Sequence, residues 1–593
     1  MRRRPLRSLA VLLVVGVAAL AAQAGALADA PSQGPPTAIG TGGAAATVDT
    51  LATQAAVDTL RHGGNAVDAA VTAAAVLGVT EPFSAGIGGG GFMVIYRASD
   101  RIVTTIDGRE TAPAAMHPDS FWENGKPLPF NDARYSGLSV GTPGTVETWA
   151  DALDHYGTTS LGHALAPAIR VAREGFVVDQ TFFDQTQGNV DYFDDIPATA
   201  ALFLDPDGTP RDVGTVFRNP DLARTYSRIG QLGAKGFYRG AVAEALVQTV
   251  RNPVVSPTAN HTWRPGLMTM RDLRAYTAPE REPTHVSYRG LDVYGMAPPS
   301  SGGSTVGEAL NILEGYELSA MTREEALHRY LEASRYSFAD RGAYLADPGY
   351  FDVPLVGLLS DGFAATRRAL ITGTAATSPV APGDPYRFDG GEGATVQASP
   401  SETRAGTTTH LTTADRWGTV VSYTLTIEST GGAGLVVPGW GFLANNELTD
   451  FNFDSLTHPN RADGGKRPRS SMSPTIVLDD GKPLLAVGSP GGSTIITTVL
   501  QILINRLDLG LTLPEAIADP RLTQRNTATT LAEPAFIATA EATALKARGH
   551  VFGSTSEIGA ATGIEFLGGH RLLAAAEPVR RGGGSAMVVS PEP

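Results

Sequence analysis

Thr407-Thr408-Thr409-His410-Leu411-Thr412-Thr413-Ala414, then Asp415-Arg416-Trp417-Gly418, then Thr419-Val420-Val421-Ser422-Tyr423-Thr424-Leu425-Thr426-Ile427-Glu428 is the stretch whose reading decides the fold. Two β-rich runs flank four residues suited to a type I turn closed by a left-handed glycine, the three-residue hairpin with a bulge. In that register Asp415 faces Thr419, so Thr408 faces Thr426. Period-two geometry places Thr424, Thr426 and Glu428 on one face, with Tyr423, Leu425 and Ile427 packed inward on the other.

A threonine hydroxyl is a poor nucleophile until a base takes its proton, and the chain offers no tidy Ser-His-Asp arrangement. An N-terminal threonine carries its own base, an α-amine with an ordinary pKa of about 7.7 to 8.0. The threonines here are internal, so a peptide bond must first be cut. Written for Thr408, its hydroxyl attacks the Thr407 carbonyl, the acyl group shifts from N to O, and the ester hydrolyses. The Gly-rich, aperiodic segment from Gly390 to Arg404 is expected to be exposed and flexible, giving such a bond access.

Working outward, the 593 residues are 42% apolar and 18% charged, with 68 glycines and 40 prolines, the composition of a globular chain with many turns. Arg2, Arg3, Arg4 and Arg7, the apolar run Leu9 to Ala22, and Ala26-Leu27-Ala28 have the order of a secretory signal peptide, residues 1-28. The apolar run is shorter than the ~20 residues of a spanning helix, so no stable membrane anchor is expected. Cysteine is absent, which excludes disulfides, a thiolate nucleophile and Cys-based zinc. The formal charge of −14, more negative once the leader's arginines are lost, argues against a nucleic-acid partner.

A Pro/Gly/Ala linker is expected near residues 31 to 45, then helical sequence from Thr50 to Leu77 interrupted at His62-Gly63-Gly64, with Asn65 as an N-cap. Gly86-Ile87-Gly88-Gly89-Gly90-Gly91 satisfies GxGxxG formally, but it follows a helix and precedes a strand, the reverse of the dinucleotide-binding order. It reads as close backbone approach. Arg109, after the strand Val103 to Asp107, suits either a bound carboxylate or a surface ion pair with Glu110 or Asp107. Helical patterns cover Thr145 to His155, Leu161 to Glu174, Asn219 to Leu232, Ala241 to Thr249, Thr305 to Leu313 and Arg323 to Asp340. Glu325 and His328 lie one turn apart, but without a second such pair His328 reads as a structural histidine. The strand Leu484 to Val487, the turn Gly488-Ser489-Pro490-Gly491-Gly492 and the helix Ser493 to Leu507 suit a phosphate or an oxyanion equally.

Taken together, Gly63-Gly64-Asn65-Ala66-Val67-Asp68-Ala69-Ala70, the glycines before Phe92-Met93, Arg109-Glu110 with Ala112-Pro113, Thr408-Thr409-His410, Asn445-Asn446-Glu447, Lys466-Arg467-Pro468 before Ser470-Ser471-Met472, and Gly488 to Gly492 resemble the γ-glutamyltransferase (γ-glutamyltranspeptidase) family of N-terminal-nucleophile hydrolases over nearly the whole mature chain. The resemblance implies an α+β fold, a four-layer αββα sandwich, and a secreted precursor that cuts itself between Thr407 and Thr408 into a large subunit, 29-407, and a small one, 408-593. It makes Thr408 the nucleophile, with Thr426 hydrogen-bonded to it and assisting processing. Arg109, Ser470 and Ser471 would hold the α-carboxylate of a small-molecule γ-glutamyl substrate, and Glu428, Glu447 and Asp450 its α-ammonium. Gly491 and Gly492 would supply oxyanion-hole amides. The implied reaction transfers the γ-glutamyl group of glutathione or a relative to water or an amine, without metal or organic cofactor. His410 becomes a supporting residue.

Two features depart from the family pattern. Many members carry asparagine where Glu428 stands, and the segment from Asp450 to Ser470 looks too short to lid the pocket, so a more open site admitting substrates such as poly-γ-glutamate is expected. The rival readings are a cephalosporin or glutaryl acylase using the same nucleophile, and a catalytically inactive secreted binding protein of the same fold.

Overall fold

The computed structural model describes residues 35–390 and 407–592; the expected signal peptide and most of the Gly390 to Arg404 segment lie outside the described residues. Among the described residues, thirteen strands form one antiparallel sheet. Its order is Glu280–Arg281, Ile102–Gly108, Gly90–Arg97, Val420–Thr426, Thr409–Asp415, Thr37–Thr47, Arg571–Ala576, Thr562–Gly568, Lys482–Gly488, Thr475–Asp479, Leu291–Gly295 and Thr284–Tyr288, with Ser585–Pro591 also paired to Thr37–Thr47. The sheet curls until its halves face each other. Strands Val420–Thr426 and Lys482–Gly488, far apart in pairing order, touch across the interior, and the Ser422 hydroxyl donates to the Val487 carbonyl at 3.2 Å. Helices Thr50–Arg61 and Ala66–Thr80 cover one outer face, and Gly302–Glu314, Arg323–Tyr344 and Thr494–Leu507 the other, which gives the four-layer αββα sandwich.

The expected hairpin is present in the expected register, with Thr409 opposite Leu425 and His410 opposite Thr424. Gly418 has φ 95°, the left-handed turn position. The Asp415 carboxylate accepts from Trp417 N–H at 2.9 Å and Thr419 N–H at 3.0 Å, and its other oxygen accepts from Ala66 N–H at 3.1 Å. One side chain thereby closes the turn and docks it on the start of the buried helix Ala66–Thr80.

Tyr423 and Leu425 pack against that helix. The polar face is buried as well, because it points between the sheet halves rather than to solvent. His410 there meets Thr424 Oγ1 at 2.8 Å and Thr412 Oγ1 at 3.3 Å. Burial pushes its pKa down to about 3, so the ring is neutral.

Residues 31 to 45 are not simply a linker. Thr37–Thr47 is a strand at the centre of the sheet, paired with Thr409–Asp415, Arg571–Ala576 and Ser585–Pro591. Its glycines and alanines mimic linker composition because three strands crowd it. A Cβ on Gly40 would lie 2.1 Å from the Ser590 carbonyl oxygen. The helical interval Leu161 to Glu174 is likewise two helices, Leu161–Ala164 and Ala166–Glu174, with proline in the first turn of the second. The helix interrupted after Arg61 does restart at Ala66, where Asn65 forms a capping box with Asp68.

Gly488 marks the closest approach of the sheet halves, since a Cβ there would sit 2.3 Å from the His410 ring. Gly488→Ala should destabilise the protein by roughly 1–3 kcal/mol, read as a lower melting temperature. Gly373→Ala, whose Cβ would meet nothing within 4 Å, should stay within about 0.5 kcal/mol of the parent; equal effects would refute this packing account.

Candidate active site

A narrow cleft lies at the end of the threonine hairpin, lined by Arg109, Thr408, Thr426, Glu428, Glu447, Asp450, Ser470, Ser471 and Gly492, together with Met472, Ser493 and Ile495. Of the expected site residues only Thr407 and Gly491 are outside this lining, and each is the chain neighbour of a residue within it.

Strand pairing puts the threonines in a hydrogen-bonded series. Thr408 Oγ1 donates to Thr426 Oγ1 at 3.3 Å, Thr426 Oγ1 donates to the Thr407 carbonyl at 2.7 Å, and Glu428 N–H donates to Thr426 Oγ1 at 2.8 Å. The Thr407 N–H returns to the Glu428 carbonyl at 2.7 Å. One hydroxyl therefore touches both a candidate nucleophile and the carbonyl it would attack. On the opposite wall, the strand ending at Gly488 turns into the helix Thr494–Leu507 through Gly491 at φ 132° and Gly492 at φ 58°, backbone conformations that side chains disfavour. Gly492 thereby lines the cleft that holds Thr408.

Arg109 is 1% exposed. Its Nε donates to the Pro468 carbonyl at 3.0 Å, and Nη2 donates to the Arg469 carbonyl at 3.0 Å and to Asp450 Oδ2 at 2.5 Å. Nη1 pairs with Glu447. The surface ion pair with Asp107 or Glu110 is thus replaced by a buried cluster. The guanidinium and the carboxylates, expected at opposite ends of a substrate, are in direct contact. Ser470 is held by its carbonyl, which accepts from Ser301 N–H at 2.8 Å, and Ser471 Oγ accepts from Arg341 Nη2 at 2.8 Å.

Glu428 is bonded to Asn446 and Ser429 side chains and has φ 78°. Its pKa is pushed up to about 7, by burial first and then by Asp450. A left-handed backbone is costly for glutamate and easier for asparagine.

Sequence reasoning gave Glu110 no role beyond a surface partner for Arg109, and Arg581 none. Glu110 is fully buried, and among the described residues neither of its carboxylate oxygens has a hydrogen-bond partner; Arg109 Nη1 lies 3.9 Å away. Burial raises its pKa to about 8 against the pull of Arg109. Arg581 donates to the Thr408 carbonyl at 2.7 Å and to Ser84 Oγ at 2.7 Å while pairing with Glu81 at 3.0 Å. The adjacency of Glu110 to Arg109 was a usable signal for the first. For Arg581, at the far end of the chain, there was none.

A family profile described as Gamma-glutamyltranspeptidase matches residues 52–587. The "Glutathione hydrolase proenzyme" of Bacillus subtilis (strain 168) is 40% identical over 491 residues, 82% of this chain and 81% of that protein. The "Acylase ACY 1 proenzyme" of Pseudomonas sp. (strain SE83) is 36% identical over 522 residues, 86% and 87% of the two chains. The crystal structure of a cephalosporin acylase from Bacillus halodurans resembles this one with a TM-score of 0.80 at 28% identity, covering 93% of this chain and 97% of that one.

Two outcomes are expected at the carboxylates. Glu428→Asn, by relieving the left-handed strain, should stabilise the fold by up to about 1 kcal/mol in thermal unfolding. Glu110 has a folded pKa of about 8 against an ordinary 4.5. Its contribution to stability is therefore full below pH 4.5 and lost as pH rises through 8. Glu110→Gln should match the parent at pH 5 and exceed it at pH 9 by on the order of 1 kcal/mol or more; parallel urea-unfolding curves at the two pH values would contradict this.

Proposed function

The chain belongs to the γ-glutamyltranspeptidase family, and we propose that it is an exported precursor that cuts itself before Thr408 and then hydrolyses or transfers γ-glutamyl groups. The observation that carries this reading is the series Thr408, Thr426 and the Thr407 carbonyl, set in the same cleft as Arg109 and its acids.

In processing, Thr426 accepts from the Thr408 hydroxyl while donating to the Thr407 carbonyl oxygen, so it polarises the carbon under attack. Addition of Thr408 Oγ1 and loss of the Thr408 nitrogen give an ester, which water splits into a Thr407 carboxylate and a free Thr408 amine. The large subunit is then 29-407 and the small one 408-593. That amine takes the hydroxyl proton when Thr408 attacks a γ-amide carbonyl. The oxyanion is received by the Gly491 and Gly492 amides, the amine product leaves, and the γ-glutamyl ester passes to water or an amine acceptor.

The zwitterionic head of the substrate enters the ion-paired cluster. Its α-carboxylate competes for Arg109 with Glu447 and Asp450, assisted by Ser470 and Ser471, and the released carboxylates, with Glu428, receive the α-ammonium. This exchange favours a γ-glutamyl head over a glutaryl one, which lacks the ammonium and would leave those carboxylates unpaired in a buried site. Export rests on the leader sequence; among the described residues no helix is long and apolar enough to cross a membrane. The short Asp450 to Ser470 segment supports access for larger γ-glutamyl substrates, poly-γ-glutamate included.

Thr408→Ala should remain one uncut chain on a denaturing gel and lose about 10⁴-fold or more of γ-glutamyl-p-nitroanilide turnover. A processed variant would assign the nucleophile elsewhere. The parent should hydrolyse γ-glutamyl-p-nitroanilide far faster than its glutaryl counterpart; the opposite preference would favour the acylase reading.

A further inference from the structure

We propose that His328, Glu332 and His550 bind a divalent transition metal of the zinc class, clamping the helix Arg323–Tyr344 to the C-terminal part of the chain at a site separate from the catalytic cleft. The three side chains are buried, and their ligand atoms, one from each, lie within 4.8 Å of one another. His328 and Glu332 are four positions apart on one helical face, a spacing that presents two ligands to one ion. Glu325, by contrast, turns to Arg548 at 3.4 Å, so the pair suggested by spacing alone is not the one assembled.

The hydrogen bonding fixes the tautomers. His328 Nε2 lies 2.9 Å from the Thr372 carbonyl, which can only accept, so that nitrogen carries the hydrogen and Nδ1 keeps its lone pair. His328 Nδ1 faces His550 Nε2 at 2.8 Å. Without metal, the hydrogen between them belongs to His550 Nε2, and His550 Nδ1 is a buried nitrogen with no hydrogen-bond partner among the described residues. When an ion binds, that hydrogen moves to Nδ1 and both rings stay neutral. The two nitrogens need separate only to about 3.3 Å, the span of two metal–nitrogen bonds of about 2.0–2.1 Å in tetrahedral geometry.

Two of the three ligands are braced from behind. Thr372 holds His328, while the Arg335 guanidinium at 3.1 Å and Ala376 N–H at 3.0 Å hold Glu332. The same surroundings select the ion. Arg335, together with Arg329, which also donates to the Thr372 carbonyl at 2.7 Å, and Arg548, disfavours cations held by charge alone, such as calcium or magnesium. Two imidazoles and one carboxylate suit zinc or cobalt.

The test uses untagged, full-length protein treated with a chelator, dialysed, and titrated with Co²⁺ and then Zn²⁺. The expected result is uptake of about one Co²⁺ per chain with tetrahedral visible absorption, displaced by Zn²⁺. It should be lost in His550→Gln and Glu332→Gln, with γ-glutamyl-p-nitroanilide turnover within about twofold of the parent. No uptake by the parent would overturn the proposal without recourse to variants, and so would uptake undiminished in either variant.

Discussion

Pairing between Thr409–Asp415 and Val420–Thr426 is the constraint on which the cleft depends. A strand advances about 3.3 Å per residue and alternates its faces, so a slip of one position would turn Thr426 away from Thr408 and put Leu425 in its place. Three features hold the register: the left-handed Gly418, the Asp415 carboxylate that ties the turn to Ala66, and the apolar face of Tyr423 and Leu425 against a fully buried helix. The hydroxyl series is therefore a consequence of core packing some distance away. The missing side chain at Gly488 lets the opposite half of the sheet close over His410 and brings the glycine turn within reach of the same cleft.

Around that hairpin the electrostatics are unusual for an interior. One guanidinium is surrounded by Glu447, Asp450 and Glu110, with Glu428 nearby, and burial pushes the pKa values of Glu110, Glu428 and Glu447 upward. A cluster of that kind costs free energy in the empty protein, because acids are desolvated without a full complement of cations. Under the proposed function, the ammonium of a zwitterionic head would supply the missing positive charge. The left-handed Glu428 adds backbone strain at the same point, in keeping with strain collecting at functional sites.

Similarity to both glutathione hydrolase proenzymes and acylases follows from the same physics. The hairpin, the curled sheet and the glycine turn belong to the fold these proteins share, whereas under the proposed function the discrimination between acyl groups would lie in a few side chains around Arg109. Those side chains come from segments separated by more than three hundred positions in the chain, and their contacts rather than their identities set the charge balance.

Much of this was legible locally. The hairpin and its register, the cap at Asn65 and the glycine cluster as a place of close approach follow from patterns contained within short segments, whereas the candidate residues of the cleft were implied by resemblance to a family. Thr37–Thr47 was misread because a strand crowded on both sides needs the same small residues as a linker. For Arg109 the local motif left a bound carboxylate and a surface ion pair equally open, and neither reading anticipated its pairing with Glu447 and Asp450. The meeting of His328 with His550, and of Arg581 with the Thr408 carbonyl, left no trace in spacing. By itself the sequence determined the elements with a clear period or cap, the hairpin register and the chemistry on offer, because period, turn and cap are encoded by near neighbours. Only the tertiary structure decided which charges neutralise one another, because that depends on how two halves of one sheet close together.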